Sequence, residues 1–185
     1  MLPPEKRYEE FAYVLDSQPR GKSSIIKGRE GPIVQALGEE RLTLLELLAA
    51  ENQSFETGEK LRIGREGRDK IMSVFGKLTY EDLTPEAKSQ LLSVCEAVVK
   101  SNEARYVAAF NDLQPLTPRL HGLELIPGIG KTFMLHAIQL REQKPFSSFD
   151  DIQARVGLHE PAKLIAKRIA EELTGTTRIN IFVKK

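Results

Sequence analysis

Cysteine is almost absent from this 185-residue chain: Cys95 is the only one. That excludes an internal disulfide and a thiolate metal cluster, and it suits a reducing compartment. Tryptophan is missing and aromatic residues make up 6%. Neither sign of charge dominates, since 27 Lys and Arg oppose 26 Asp and Glu for a net charge of +1. A polyanion partner is therefore not advertised by the whole chain, and any basic surface must come from local clustering. No run approaches the roughly 20 apolar residues that cross a bilayer. The stretch Leu42 to Ala50 is short and interrupted by Thr43 and Glu46, and the opening MLPPEKRYEE lacks the apolar core of a secretory signal. The expectation is an unexported, cytoplasmic protein with no membrane partner. Thirteen glycines and ten prolines are too few for a low-complexity polymer, while 41% hydrophobic residues suffice for a buried core. The length suits one medium domain or two small ones.

What is present falls into two styles. Five β-like runs, FAYVLD, PIVQAL, RLTLLELLA, EKLRIG and DKIMSVFG, are separated by glycine-rich basic loops. The third run has helix-like apolar density, but Gly38 before it and Asn52-Gln53-Ser54 after it bound it at strand length. Five short strands fit a small OB or S1-like β-barrel over residues 1–80. At Thr84-Pro85-Glu86 an N-cap, a first-turn proline and an acidic residue announce a helix. Its apolar stripe contains Cys95, which reads as a buried core thiol. A second helix covers Asn102 to Asn111, so 81–112 is read as connecting helices. Residues 113–185 are read as an all-α domain with a C-terminal strand, because Arg178 to Val183 alternate like an edge strand. The expected fold is multidomain, α and β.

The most informative segment is Ile126-Pro127-Gly128-Ile129-Gly130-Lys131-Thr132. Pro127 ends any preceding helix, the glycines permit a tight reversal, and Ile129 plugs the core. A helix follows, with Phe133, Met134, Ala137, Ile138 and Leu140 expected on its buried side. The turn thus delivers a glycine-rich loop to a helix N-terminus, whose unpaired N–H groups and dipole suit a phosphate oxygen. Gly128, Ile129, Gly130, Lys131 and Thr132 form the candidate site, with Lys131 as a point charge and Thr132 as a hydroxyl donor. No side chain there is placed to read base edges, so binding is expected to be sequence-independent.

This segment resembles the helix-hairpin-helix motif of nucleic-acid-binding proteins, whose hairpin reads apolar-Pro-Gly-apolar-Gly-Lys. Downstream, Leu140-Arg141-Glu142, Pro145-Phe146, Ser148 to Ile152 and Val156-Gly157-Leu158 are similar to the tandem helix-hairpin-helix domains of DNA-uptake proteins. His159-Glu160-Pro161 departs from that pattern, replacing the second glycine and basic residue, so the second hairpin is read as a structural partner. Over nearly its whole length the chain, including Asn102 to Tyr106 and Arg119 to Leu125, looks like an uncharacterised, mainly archaeal family described as candidate RNA-binding proteins. The resemblance implies an S1/OB-like domain joined to a tandem helix-hairpin-helix domain, and RNA in preference to DNA as partner. Translation or RNA processing is the setting it suggests.

Two further basic clusters extend the candidate surface: Arg20, Lys22, Lys27 and Arg29, and then Arg62 and Arg65 beside Arg68 and Lys70. Together they suggest a groove, with Tyr8, Phe11 and Tyr13 as stacking platforms. No enzyme is expected. The fragments Gly21-Lys22-Ser23 and Gly130-Lys131-Thr132 lack the earlier P-loop glycine, whose place is held by Asp16 and Leu125. His121, His136 and His159 are not spaced as metal ligands, and no cofactor is implied. Asp150-Asp151 is read as dipole complementarity and Glu171-Glu172 as simple solvation. Two alternatives stand. One is a DNA-binding or DNA-repair protein, since Lys131 and Asp150 have nearly a glycosylase-like spacing. The other is a protein-interaction module with a vestigial phosphate site. Convergence of Arg119, Lys131 and Arg141 favours nucleic acid; an exposed apolar patch favours a protein partner.

Overall fold

The computed structural model describes residues 8–185. The opening residues through Arg7, on which the signal-peptide reading partly rests, lie outside the described residues. The chain divides into two compact units, one of residues up to Val94 with Glu171–Lys185, the other Cys95–Ala170. Both boundaries between the units fall inside helices.

In the first unit all five expected strands form: β1 Phe11–Lys22, β2 Glu30–Gly38, β3 Leu44–Ala49, β4 Lys60–Arg62 and β5 Ile71–Lys77. They make one antiparallel sheet in the order β4-β1-β2-β3-β5. The edges β4 and β5 do not pair, so the expected barrel is a curled half-barrel. Curl comes from register shifts in β1 at Val14/Asp16 and Gln18/Gly21 and between β3 and β5. The second shift accommodates Pro19, which has no N–H to donate, and lets β1 run six residues past its expected end at Asp16.

Every residue of β3 is buried. Ala12, Val14, Val34, Ala36, Leu45, Leu47, Leu61 and Ile63 form one cluster. Tyr13, Leu15, Ile33, Leu37, Leu44 and Leu48 are also buried. A strand buried on both faces reads as a continuous apolar run, which is why its periodicity resembled a helix.

Helix α1 (Pro85–Ser101) starts where Thr84 caps it: Thr84 Oγ1 accepts Ala87 N–H at 3.1 Å and donates to Asp16 Oδ2 at 2.6 Å. Thr84 N–H donates to Gln35 Oε1, so the cap is tied to both β1 and β2. Cys95 is fully buried, and burial pushes its thiol up to about 12.

The C-terminal segment is not a strand. Glu172, 2% exposed, accepts the N–H groups of Ile181, Phe182 (3.1 Å) and Val183 (2.9 Å), and Phe182 is buried. A carboxylate thus satisfies the backbone donors that a partner strand would have taken, and the solvated reading of Glu172 is corrected. Lys184 N–H reaches Arg41 O.

The second unit holds α2 (Glu103–Asp112), α3 (Lys131–Gln143), α4 (Phe149–Val156) and most of α5 (Pro161–Leu173). A short hairpin, β6 (Pro115–Thr117) with β7 (Leu120–His121), precedes a 3-10 turn over Gly122–Leu125. Ser148 caps α4 by accepting Asp151 N–H, and Asp151 in turn accepts Ser147 N–H. Gly157 closes α4 with φ +81 in the left-handed region.

Candidate nucleic-acid interface

The Pro-Gly-Ile-Gly turn folds as its residue types require. Gly128 has φ +86, a conformation that calls for glycine, while a Cβ there would meet a Leu164 methyl at 3.4 Å in ordinary van der Waals contact. Ile129 is 5% exposed and its N–H bonds Ile126 O at 3.1 Å. Gly130 differs. It is the N-cap of α3 at φ −90 and ψ −173, a conformation open to any residue, and a Cβ there would meet nothing within 4 Å. No side chain caps this end. The first α3 bond runs from Met134 N–H to Gly130 O, and Lys131 and Thr132 are exposed. The fold gives no reason for a glycine at position 130, and its bareness opens the helix end to an approaching group.

Lys131 is not a free charge. Its Nζ lies 3.0 Å from Glu124 Oε1 and 3.3 Å from Arg119 O. Glu124 also accepts His121 N–H at 2.8 Å, and this main-chain bond, followed by Lys131, holds its carboxyl below the usual carboxylate range. His121 is buried; its Nδ1 accepts Leu123 N–H at 3.0 Å. Burial, then the Arg141 charge, lowers its pKa. Arg141 turns inward, donating to Phe110 O and Leu113 O at the end of α2. The anticipated trio of Arg119, Lys131 and Arg141 therefore does not converge as free cations. Phe133 is exposed rather than buried as expected, Leu135 is exposed as well, and Met134 and Ala137 are buried.

The second hairpin repeats the backbone and not the charge. Gly157 matches Gly128 in its positive φ and Leu158 matches Ile129 in burial. Glu160 immediately precedes α5 as Gly130 precedes α3, each accepting the N–H four residues on, but Glu160 is in a left-handed conformation at φ +48, its carboxylate 3.5 Å from His159 Nε2. Ala162, Ile165, Ala166 and Ile169 bury the inner face of α5.

On the sheet, Arg20 and Lys22 belong to β1 rather than to a loop, and only 23–29 is a turn. Lys22 faces Glu30 at 3.9 Å with both side chains exposed, a contact of little energetic weight. Lys27 and Arg29 are exposed. The turn is anchored: Glu46, fully buried, accepts Ser23 Oγ–H at 2.5 Å and Ser24 N–H at 2.8 Å. Arg62 lies opposite Phe11 at the far end of β1, so the two basic clusters occupy opposite ends of that strand. Arg65 is exposed, whereas Arg68 and Lys70 are spent on main-chain oxygens, Lys70 also on Glu59. Phe11 is covered by Lys60 and Arg62 at 4.5 and 5.3 Å from its centroid. Tyr13 is 3% exposed and bonds Glu39. Tyr13 is thus withdrawn from stacking, Phe11 is half-buried, and Tyr8 is 78% exposed.

Asp150 sits in the first turn of α4, where dipole complementarity accounts for it. Among the described residues no group of three His, Cys, Asp or Glu is placed to hold a metal ion, and no helix is long and apolar enough to cross a membrane. Sequence reasoning missed Glu124, Glu46 and Glu172. Glu124's bond to His121 N–H is a local capping-box contact, but its ion-pair partner Lys131 lies 7 residues away, and the partners of Glu46 and Glu172 lie 22 or 23 and 9 to 11 residues away, beyond any cap or i,i+4 rule.

The chain is 44% identical over 169 residues to the uncharacterized protein MJ0038 of Methanocaldococcus jannaschii, covering 91% of this chain and 76% of that protein. The crystal structure of Af1531 from Archaeoglobus fulgidus superposes with a TM-score of 0.84 at 39% identity, covering 95% of this chain and all of that one. With a family model matching residues 8–184 as well, the chain belongs to the family described as "Protein of unknown function (DUF655)".

Proposed function

We propose that this protein is a non-enzymatic nucleic-acid-binding protein that grips the phosphodiester backbone at Gly128 to Thr132 and takes RNA in preference to DNA. In this reading the curled sheet is an S1/OB-like domain, the helical unit a tandem helix-hairpin-helix, and the cytoplasm its compartment. The observation that carries it is Gly130: a bare, unstrained, uncapped helix start, directly followed by an exposed lysine and threonine. Backbone N–H groups bind any phosphate, so affinity is independent of sequence and falls with salt. The exposed cations Arg20, Lys22, Lys27, Arg29, Arg62 and Arg65 add to the electrostatic attraction from the sheet.

Anisotropy titration of labelled single-stranded RNA, duplex RNA and duplex DNA at two salt concentrations tests this. Salt-sensitive binding, weakened several-fold by Lys131→Gln, is expected, and the tightest ligand identifies the nucleic acid. A second reading, a protein-interaction module, is favoured by the exposed Phe133 and Leu135 and by the Glu124 charge beside Lys131. Absence of binding to all three ligands at low salt selects it.

A further inference from the structure

In the middle of β3, among five apolar residues, stands Glu46, fully buried. A carboxylate taken out of water is costly, and an apolar side chain would suit that place in the sheet better. What the carboxylate holds is the turn between β1 and β2. Its Oε2 accepts Ser23 Oγ–H at 2.5 Å and its Oε1 accepts Ser24 N–H at 2.8 Å. Ser23 Oγ, fixed in this way, accepts Ile25 N–H at 3.1 Å and Ile26 N–H at 2.8 Å. Ser23 N–H donates to Arg29 O and Arg29 N–H to Ile26 O, which closes the turn on itself. Ile25 lies over β5, its Cδ1 3.3 Å from where a side chain at Gly76 would begin.

Closure of the hairpin does not require these bonds. The β1–β2 ladder already runs out to Gly21 opposite Gly31 and Lys22 opposite Glu30, so the strands are joined up to the turn without Glu46. The added bonds order the tip alone, and the tip carries charge. Lys22, Lys27 and Arg29 are exposed, with the exposed Arg20 just before them on β1. Lys22 faces Glu30, while Arg20, Lys27 and Arg29 have no ion-pair partner among the described residues. Four cations thus meet two carboxylates: Glu30 on the flank of the turn, and Glu46 beneath it with both oxygens already taken. The main-chain donors of Ser23, Ser24, Ile25, Ile26 and Arg29 are also taken, so an anion here meets side chains. An ordered tip holds those side chains' backbone in place before a ligand arrives, which removes part of the ordering cost of binding.

We propose that Ser23 and Glu46 are positioning residues for nucleic-acid binding, holding the turn from Ser23 to Arg29 so that Lys27 and Arg29 meet backbone phosphates. The proposal rests on the nucleic-acid reading and adds to it a contact surface on the sheet whose affinity depends on the order of a turn as well as on its charge. Loosening the turn leaves its cations in the chain, so the number of phosphates neutralised is unchanged while each binding event must order the turn anew. Affinity then falls with no change in its salt dependence, which counts phosphate contacts. Removing the cations changes both.

The test compares wild type with Ser23→Ala, Ser23→Thr, Lys27→Gln/Arg29→Gln and Lys131→Gln by anisotropy across a salt series, on whichever labelled single-stranded RNA, duplex RNA or duplex DNA binds tightest. All the variants keep Glu46, and urea unfolding at unchanged m-value confirms that the fold is kept. Ser23→Ala is expected to bind about threefold to tenfold more weakly, the cost of ordering one or two side chains, with an unchanged log–log salt slope. Ser23→Thr restores the hydroxyl and should bind as wild type. The Ile25 and Ile26 amides should exchange faster with solvent in Ser23→Ala than in wild type. Lys27→Gln/Arg29→Gln should flatten the slope by about 1.4 on a single strand or about 1.8 on a duplex, at about 0.7 or 0.9 per lost contact. Unchanged affinity in Ser23→Ala overturns the positioning role, as does Ser23→Thr binding as weakly as Ser23→Ala. Full affinity in Lys27→Gln/Arg29→Gln beside a loss in Lys131→Gln overturns the contact at the turn and leaves the hairpin. Wild type that binds none of the three nucleic acids overturns the nucleic-acid reading and this proposal together. Competition by polyglutamate as strong as by unlabelled nucleic acid overturns the phosphate contact in favour of an acidic peptide.

Discussion

Replacing Gly130 with aspartate should move stability and binding in opposite directions. The backbone there, at φ −90 and ψ −173, needs no glycine, and a Cβ meets nothing within 4 Å. An aspartate at this N-cap can accept a first-turn N–H, and its charge complements the helix dipole, which is worth about 0.3–1 kcal/mol at a surface site. The fold should therefore gain stability by about that much, read from urea midpoints at unchanged m-value. The same carboxylate takes the N–H groups a phosphate would use and repels it. Like charges about 4 Å apart cost about 1 kcal/mol in bulk water and about 4 kcal/mol near a protein surface. The lower figure alone weakens Kd about fivefold. Anisotropy with the tightest nucleic acid reads that loss. A gain in stability with unchanged Kd at low salt would refute phosphate binding at this helix end. A loss of stability would refute the open cap itself. Gly128→Ala is the contrast: at φ +86 it should destabilise by about 1–2 kcal/mol.

Further outcomes are equally specific. Cys95, buried and with its thiol pushed up to about 12, should react with a disulfide reagent only at the rate of global unfolding; rapid labelling of the native protein would contradict its burial. His121 has a lowered pKa, so the native state binds fewer protons than the unfolded chain. Stability from this group is complete above the unfolded value of about 6.5 and is lost as pH falls below it toward the folded pKa. Denaturation midpoints should drop from pH 7 to 5, and His121→Asn, which keeps an acceptor for Leu123 N–H, should flatten that change. Glu172→Ala and Phe182→Ala should each destabilise and be non-additive in a double-mutant cycle, because the carboxylate holds the segment that buries the ring; additive losses would contradict the clasp.

Local chemistry was legible in the sequence wherever it acts locally. The five strands, the Thr84 cap, the buried Cys95 and the Pro127 to Gly130 reversal follow from short-range patterns, and the structure contains each of them. Features set by distant partners were not legible. Arg178 to Val183 alternate correctly for a strand, but Glu172 meets their backbone needs first. Phe11 and Tyr13 read as stacking faces until Lys60, Arg62 and Glu39 arrive from elsewhere in the sheet. Lys131 reads as a free phosphate ligand, and its pairing with Glu124 depends on how the hairpin reverses the chain. Arg141 falls at a helix end whose neighbour, the C-terminus of α2, no local rule identifies. In each case a charged or aromatic group finds its partner only after the chain has folded back.

Amide proton–nitrogen spectra recorded while the tightest nucleic acid is titrated in test the central claim most directly. The account predicts that the resonances of Gly130, Lys131 and Thr132 shift with saturation, and that added salt reverses the shifts. Saturable binding that leaves these three amides unmoved while resonances elsewhere shift would contradict it.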